Sequence, residues 1–431
     1  MAACHKRDTP PKPYVAFVAN SQSNSVAAVD LGNLRMATSI PVASGPSEIA
    51  ARPQSHEVWV VSTSGTISVI RFPELDVAAT LRIGSSAQSL VFSRDGRRAF
   101  ALDPDQSQVV FLDSEVRRVA ARVRVGAPPK NAGAAAEPVS GALPTALATS
   151  TPARGHLALT PNGQILVVSA GADPRLYFVS ADSERVLGSV EVGKEPGPMV
   201  ILPDSSKVFV ADTGEEKVSA VDIASRQLLS HLELAARPSA LLLKPDGGEI
   251  FVLSYEGASL TILDAFHDNV EQNLTTGRQP VAAVIRRDQT VLYIANAGDG
   301  SVTALDVENR SVLSSTHAGA EPRALALTPD ERFLVVADAA SSDVAILRTD
   351  LADNPASGPT RTERTALVTT IPVGARPGLA LEGIVWERGR VPPANSLGGW
   401  QDFERMGIRP AGASRRRQDI CLRCEWGRQD D

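Results

Sequence analysis

Polar side chains recur at one position in the sequence, directly after a short apolar run in each of several repeats. Asn20, Asp103, Asp212, Asn296 and Asp338 occupy this position. Their oxygens could form a ring near the mouth of a channel, and we name Asp212, Asn296 and Asp338 as candidate ligand-binding residues. Alternatively, each side chain could cap its own loop by accepting hydrogen bonds from backbone N–H groups.

Four arginines lie beside the prolines that lead into the innermost predicted strands. They are Arg237, Arg278, Arg323 and Arg376. Because guanidinium groups bind carboxylates through paired hydrogen bonds, arginines on one face near the axis could hold an anionic ligand or a partner's carboxylates. Glu195 and Glu321 occur in the same part of the repeat, so these arginines could instead pair with acids of adjacent blades.

Histidine and cysteine give no pattern of a metal or haem site. The six histidines (His5, His56, His156, His231, His267 and His317) do not share one position in the repeat, as a multi-histidine copper cluster would require. Cys421 and Cys424 are followed by Glu425, whereas covalent haem attachment needs histidine there, and a structural zinc site needs four ligands. We therefore predict no catalytic residue, no metal site and no cofactor, and interpret the cysteine pair as free thiols or a local disulfide.

The elements that position these residues come from a repeat of about 42 residues. Residues 194–235 and 278–319 match position by position without a gap, and further copies begin near Gly45, Ser85, Arg154, Ala236 and Ala320. Each copy has four short apolar runs, separated by turn residues such as Pro245-Asp246-Gly247 that favour hairpins. The sequence therefore predicts an all-β fold, a β-propeller with four-stranded antiparallel blades.

The two ends of the chain are expected to complete one blade together. Residues 14–44 contain the second, third and fourth strands of a repeat, and residues 375–381 resemble an orphan first strand. Pairing these strands would remove the exposed sheet edges. With seven internal copies this composite blade predicts eight blades by repeat count, and seven is the alternative. We assign residues 14–388 to the propeller, with an insertion loop at residues 127–153, and expect a disordered tail at residues 389–431.

The phrases Tyr14-Val15-Ala16-Phe17-Val18-Ala19-Asn20 and Leu292-Tyr293-Ile294-Ala295-Asn296, with Pro-Asp-Gly turns before them and Val-x-x-Asp after them, resemble the YVTN repeat of β-propellers. The resemblance covers residues 14–385. Such proteins are similar to the propellers of bacterial surface-layer and periplasmic proteins, of cytochrome-d1-like proteins and, more distantly, of lactonases. The resemblance implies the fold more strongly than a function, because propellers carry unrelated chemistries.

Composition and the N-terminus bear on the environment of the protein. The formal net charge of −6 gives no overall attraction to nucleic acid, and no apolar run reaches the roughly 18 residues that would span a bilayer. Residues 1–13 are polar, and Met1-Ala2-Ala3-Cys4 resembles the end of a lipoprotein signal without its hydrophobic part. We therefore expect a monomeric periplasmic or cell-surface lipoprotein, attached to the membrane only through a lipid on Cys4, although the match could be accidental.

Three functions remain open at this point. The first is a non-catalytic exported propeller that binds a protein or another cell-envelope component through its loop faces. The second is a propeller enzyme, such as a lactonase-like hydrolase, with its site at the channel mouth. The third is nucleic-acid binding, against which the acidic composition counts.

Overall fold

A computed structural model describes residues 14–126, 155–349, 365–377 and 385–387 of the 431-residue chain. In these ranges all 32 secondary-structure elements are β-strands. They form eight four-stranded antiparallel sheets, each of which is one blade of a β-propeller. The predicted fold class and the prediction of eight blades are therefore confirmed.

Blades 1 to 4 contain the first fifteen strands and the last one. Blade 1 consists of β1 (Tyr14–Asn20), β2 (Ser25–Asp30), β3 (Arg35–Pro41) and β32 (Val385–Glu387). Blade 2 consists of β4 (Pro46–Ala51), β5 (Glu57–Ser62), β6 (Thr66–Arg71) and β7 (Asp76–Arg82). Blade 3 consists of β8 (Gln88–Phe92), β9 (Arg98–Asp103), β10 (Gln108–Asp113) and β11 (Arg118–Arg124). Blade 4 consists of β12 (His156–Leu159), β13 (Ile165–Ser169), β14 (Arg175–Ser180) and β15 (Val186–Glu191).

Blades 5 to 8 follow in chain order. Blade 5 consists of β16 (Pro196–Ile201), β17 (Lys207–Asp212), β18 (Lys217–Asp222) and β19 (Gln227–Glu233). Blade 6 consists of β20 (Ala240–Leu243), β21 (Glu249–Ser254), β22 (Ser259–Asp264) and β23 (Asn269–Thr275). Blade 7 consists of β24 (Pro280–Ile285), β25 (Val291–Asn296), β26 (Ser301–Asp306) and β27 (Ser311–His317). Blade 8 consists of β28 (Pro322–Leu327), β29 (Phe333–Asp338), β30 (Asp343–Arg348) and β31 (Ala366–Pro372).

The four strands of a blade differ in burial because neighbouring blades cover both faces of each sheet. Second strands such as β5 and β25 are buried at every position, so they consist of consecutive apolar residues rather than an alternating pattern. Fourth strands such as β19 alternate between exposed and covered residues at the rim. The first strands β20 and β24 keep partial exposure along their length, which places them around the central channel.

Large side chains fill the same position of most second strands, three residues before the strand ends. Phe17, Trp59, Phe100, Phe209, Phe251 and Tyr293 lie there and are all fully buried. Each packs between its own blade and a neighbour, for example Phe17 with Phe72 in an edge-to-face contact. A chain with only 4% aromatic residues therefore places several of them where truncation would destabilise most, by roughly 3–5 kcal/mol each.

Both chain ends contribute to blade 1, as the sequence predicted. Pro377 forms a bridge with Asn20, which matches the pairing of Pro46 with Ser62 in blade 2. The regular pairing, however, joins β1 to β32, whereas the repeat pattern predicted the closing strand at residues 375–381. Most of that predicted strand lies outside the described residues. Its start was recognisable because it repeats the Arg-Pro phrase, but β32 has no equivalent phrase.

Candidate functional site

The eight second strands end in polar residues at equivalent positions, which we call the polar ring. The ring consists of Asn20, Ser62, Asp103, Ser169, Asp212, Ser254, Asn296 and Asp338. In blade 5 the ring residue Asp212 pairs with Pro196 at the start of the first strand and with Lys217 at the start of the third. The ring therefore lies at the end of each blade where the chain crosses to the next blade. All eight residues are completely buried.

Four of the eight ring side chains hydrogen-bond to the linkers that join successive blades. Asp212 accepts a hydrogen bond from the Gly193 backbone N–H at 3.1 Å, and Asp103 accepts one from Ser85 at 3.1 Å. Ser62 and Ser254 donate to the Ala43 and Ala236 carbonyls, at 3.1 and 3.3 Å. Asp212 and Asp103 accept backbone N–H groups, as in the second interpretation given above, but from the linker before the blade; Asp103 also accepts the Gln106 N–H of its own loop at 3.3 Å. A ligand-binding role for Asp212, Asn296 and Asp338 remains a prediction.

Glycine is required where a linker passes an aspartate or asparagine of the polar ring. A Cβ atom on Gly193 would lie 2.3 Å from the Asp212 carboxyl carbon, and one on Gly277 would lie 2.5 Å from the Asn296 amide carbon. Gly319 stands in the same relation to Asp338. The Val-Gly and Thr-Gly phrases of the repeat therefore allow backbone and ring side chain to make direct contact.

Burial raises the pKa values of two ring carboxyls, Asp212 and Asp338, to different extents. Burial raises the pKa of Asp212 to about 6, although hydrogen bonds from Ser219 (2.6 Å) and Gly193 limit the rise. Burial and the neighbouring Asp343 raise the pKa of Asp338 to about 8. Neither Asp338 side-chain oxygen receives a hydrogen bond of ordinary geometry, and the nearby Ala345 N–H only moderates the rise. Asp338 is therefore mostly a neutral acid at pH 7.

The linkers present a second set of polar residues, directly before the proline or equivalent start of the first strand. We call Glu195, Arg237, Gln279, Glu321 and Arg376 the linker crown. Four of the five have left-handed backbones, with φ of 52° at Glu195, 56° at Gln279, 59° at Glu321 and 52° at Arg376. The same four carbonyls accept backbone hydrogen bonds from Thr213, Ala297, Ala339 and Ser21. The backbone of the crown is therefore fixed, while most of its side chains are exposed.

The four arginines named from the sequence do not share one structural position. Arg237 and Arg376 belong to the linker crown and are exposed, whereas Arg278 precedes the crown residue of its blade and Arg323 follows the proline of its blade. Arg278 pairs with Asp299 at 2.5 Å, and Arg323 pairs with Glu321 at 3.2 Å. Both acids lie in the same blade as their arginine. The four arginines therefore occupy three different positions relative to the proline of their linker, and an anion-binding role for them remains a prediction.

Glu48 is a channel residue that the sequence reasoning missed. It lies on β4, two residues after Pro46, where blades 5, 6 and 7 have Pro198, Ala240 and Ala282. Its carboxylate accepts a hydrogen bond from Leu90 of blade 3 at 2.9 Å. Burial raises its pKa to about 7, while the amides of Leu90 and Ser89 act in the opposite direction. The signal in the sequence that could have identified Glu48 is an acid at a position where other blades have apolar residues.

Ion pairs between adjacent blades lie on the opposite face from the linkers and were also missed. The first residue of a second strand pairs with the turn between the third and fourth strands of the next blade. Lys207 of blade 5 binds Asp268 of blade 6 at 2.8 Å, and Glu249 of blade 6 binds Arg310 of blade 7 at 2.6 Å. Ion pairs thus do join adjacent blades, but they are formed by residues other than the four named arginines.

The described ranges contain no grouping of three or more His, Cys, Asp or Glu side chains arranged to hold a metal ion. Among these residues there is also no helix long and apolar enough to cross a membrane. Cys4, the insertion at residues 127–153, the tail at residues 389–431 and its cysteine pair all lie outside the described residues.

Residues 267–363 match the family model "Lactonase, 7-bladed beta-propeller". The match runs from the last strand of blade 6 into blade 8 and covers well under half of the chain. The chain differs from that description in having eight blades. A search of curated protein sequences gave no match.

Three solved structures share the propeller architecture at low sequence identity. Hydrazine synthase of Kuenenia stuttgartiensis is 16% identical, with a TM-score of 0.52 over 71% of this chain and 98% of that chain. The dihydro-heme d1 dehydrogenase NirN, solved with DHE, is 13% identical, with a TM-score of 0.61 over 86% of this chain and 77% of that chain. A functionally unknown protein from Desulfotomaculum acetoxidans is 15% identical, with a TM-score of 0.54 over 77% and 98%. At these identities the likeness supports the fold alone.

Proposed function

We propose that this chain is a non-catalytic, exported β-propeller that binds a protein or another cell-envelope component through the linker crown. The observation that carries the proposal is the fixed backbone beneath exposed, long side chains. Because the crown carbonyls are already hydrogen-bonded within the propeller, little backbone entropy would be lost when a partner binds. Loops held by a rigid scaffold are also where propellers and other repeat proteins bind their partners.

The charges of the crown favour a protein partner over a polyanion. In order around the ring, blades 5, 6, 7, 8 and 1 present Glu195, Arg237, Gln279, Glu321 and Arg376. The alternation of acid and arginine requires complementary charges of both signs on the partner, which sets specificity and orientation. A nucleic-acid backbone carries only negative charge and would be repelled by the two glutamates of the crown. Export and a lipid on Cys4 belong to the same proposal.

Site-specific photocrosslinking in cells tests this proposal. A photoreactive amino acid replaces the exposed Gln279 of the crown, and the control carries it at Glu308, an exposed residue on the opposite face of the same blade. We expect a discrete crosslinked product at Gln279 and none at Glu308. The product should weaken when Arg237→Glu and Arg376→Glu reverse two crown charges. Equal crosslinking at both positions, or a product insensitive to both reversals, would refute binding through the crown.

A lactonase-like hydrolase is the second candidate, favoured by Glu48 and by the partial family match. A channel carboxyl with a pKa of about 7 can both accept and donate a proton near neutral pH, as general acid–base catalysis requires. The assay is hydrolysis of a panel of aliphatic and sugar lactones by the purified chain. Turnover that disappears in Glu48→Gln but persists in Arg237→Glu would replace the binding proposal by the enzymatic one.

A further inference from the structure

Three polar side chains form a continuous row across blade 5, from its outer strand to the polar ring. His231 on β19 lies directly opposite Ser219 on β18, and Asp212 ends β17. The Ser219 Oγ lies 2.9 Å from the His231 Nδ1 and 2.6 Å from the Asp212 Oδ2. Asp212 and Ser219 are completely buried, whereas His231 is exposed. The other oxygen of Asp212 accepts the Gly193 N–H of the linker.

The hydrogen-bond roles in this row follow from the single proton on the Ser219 hydroxyl. While Asp212 is ionised, Ser219 donates to it, so His231 must donate its Nδ1–H to Ser219. If Asp212 is protonated, the Asp212 O–H can donate to Ser219, and Ser219 can donate to His231 only when the Nδ1 of His231 is bare. The row thus has two fully paired states. In one, His231 donates to Ser219 and Ser219 donates to Asp212; in the other, both hydrogen bonds run in the opposite direction.

The surroundings leave few other groups to act on this row. The face of blade 4 that packs against it contributes apolar residues, including Val190 and Val192. Glu215 and Lys217, in the turn and strand after Asp212, act on its carboxyl with opposite signs. Glu215 also pairs with Lys194, and Lys217 also pairs with Glu233. The larger influences on the pKa of Asp212 are burial, which raises it, and the hydrogen bonds of Ser219 and Gly193, which lower it.

We propose that this row is a pH-sensitive latch on the linker between blades 4 and 5, with protons entering at His231 and reaching Asp212 through Ser219. A proton binds the exposed Nε2 of His231, and the Nδ1 proton passes to the Ser219 Oγ. The original Ser219 proton passes to Oδ2 of Asp212. The net change is one proton moved from solvent to the carboxylate, with His231 returned to its neutral form.

Protonation weakens the hold of Asp212 on the linker. A hydrogen bond to a carboxylate is roughly twice as strong as one to a neutral acid, so the Gly193 N–H is held less tightly after the transfer. The midpoint lies near the raised pKa of Asp212, about 6. The linker carries the crown residue Glu195 two positions further on, but the latch acts in the free protein and does not depend on the partner proposed for the crown.

Other blades of the same chain provide matched comparisons. In blade 7 the equivalent row is Asn296, Thr303 and Ser315, in which Asn296 donates to Thr303 at 2.8 Å and nothing titrates. In blade 8 Ala345 occupies the position of Ser219. Asp212→Asn, His231→Ser and Ser219→Ala therefore each install a residue that the propeller already contains at that position, and all three variants are expected to fold.

Hydrogen exchange of the purified chain, read by mass spectrometry, tests the latch. Exchange is measured at about pH 5 and about pH 7.5, with labelling times scaled to the chemical exchange rate. We expect protection of a peptide covering residues 190–197 to fall roughly tenfold at the lower pH. A peptide covering residues 274–281 of blade 7 should keep its protection. Asp212→Asn should abolish the pH dependence, and Ser219→Ala should move its midpoint to higher pH.

Each part of the proposal has an outcome that would overturn it. Protection of residues 190–197 that does not vary with pH in the native chain, or pH dependence that survives Asp212→Asn, would show that Asp212 is not the latch. His231→Ser removes the donor to Ser219 and should also shift the midpoint. An unchanged midpoint in His231→Ser would show that His231 is not coupled to Asp212 through Ser219, as the proposed route requires. None of these readouts requires the crown partner, so failure of the binding proposal would leave them unchanged.

Discussion

Replacing Asp338 by asparagine should stabilise the propeller, and the gain should depend on pH. The pKa of Asp338 is raised to about 8 by burial and by Asp343, against an ordinary value near 4. Between these two values the folded chain keeps a proton that the unfolded chain releases. The free energy of unfolding therefore falls as pH rises through this range, by about 1.4 kcal/mol for each pH unit.

The size of the effect follows from the width of that window. Over about four pH units the loss is roughly 5–6 kcal/mol, most of which is already present at pH 7. Asparagine does not ionise, and Asn20 and Asn296 occupy the same position in blades 1 and 7. We therefore expect Asp338→Asn to have nearly the stability of the native chain at pH 4 and to exceed it by several kcal/mol at pH 8.

Urea unfolding at a series of pH values measures this difference. Both proteins are followed by far-UV circular dichroism, and the comparison between them cancels every other titrating group. Asn296→Asp in blade 7 is the control, because Thr303 and Ser301 lie within hydrogen-bond distance of the new carboxylate. At pH 8 the new carboxylate at position 296 should lower the free energy of unfolding much less than the Asp338 carboxylate does. If the difference in the free energy of unfolding between the native chain and Asp338→Asn stays constant from pH 4 to pH 8, the reasoning is refuted.

Three further changes test other parts of the structure. Ala345→Ser should lower the pKa of Asp338 and stabilise the chain by about 1 kcal/mol at pH 8. The gain should be smaller in an Asp338→Asn background, where serine accepts one neutral hydrogen bond as Thr303 does from Asn296, and a double-mutant cycle measures the difference. Gly277→Ala places a methyl group against Asn296 and should destabilise by roughly 1–3 kcal/mol in thermal unfolding. Burial acts to raise the pKa of Glu57, but hydrogen bonds from Arg117, Trp59 and Arg52 outweigh it and lower the pKa; Glu57→Gln should therefore destabilise above about pH 5 and lose that effect as pH falls below about 4.

Much of the fold follows from the internal repeat alone. A period of about 42 residues sets four short strands per copy, and the incomplete first copy required a strand from the other chain end. The end of β1 at Asn20 and the start of the closing segment at Pro377 agree with that expectation. The position of β32 could not be found in this way, because Val385–Glu387 has no counterpart elsewhere in the chain.

The candidate site was less predictable, because residues at similar positions in the repeat do not take the same position in the structure. Arg237, Arg278 and Arg323 all lie near a proline, yet a shift of one residue changes which way a strand residue faces. The left-handed backbone at Glu195 and Glu321 was also hidden, since neither residue type favours it. It arises from the hydrogen bonds that the linker makes within the propeller.

The contrast between Asp212 and Asp338 was predictable in principle, from the residue seven positions further along the chain. Asp212 and Ser219 are seven residues apart, and the same spacing leads from Asp338 to Ala345. Hairpin pairing brings these positions together in both blades. A hydroxyl there supplies the donor that an ionised carboxylate needs, and a methyl group does not.

Blades 5 and 8 therefore hold their linkers in different ways, although both use aspartate. At neutral pH the linker of blade 5 is held by a mostly ionised carboxylate with two donors. The equivalent carboxyl of blade 8 is mostly neutral and has no hydrogen bond of ordinary geometry. The crown residues Glu195 and Glu321 thus rest on linkers of unequal strength. A partner that must displace one linker to bind would do so more easily at blade 8, because fewer hydrogen bonds would be broken there.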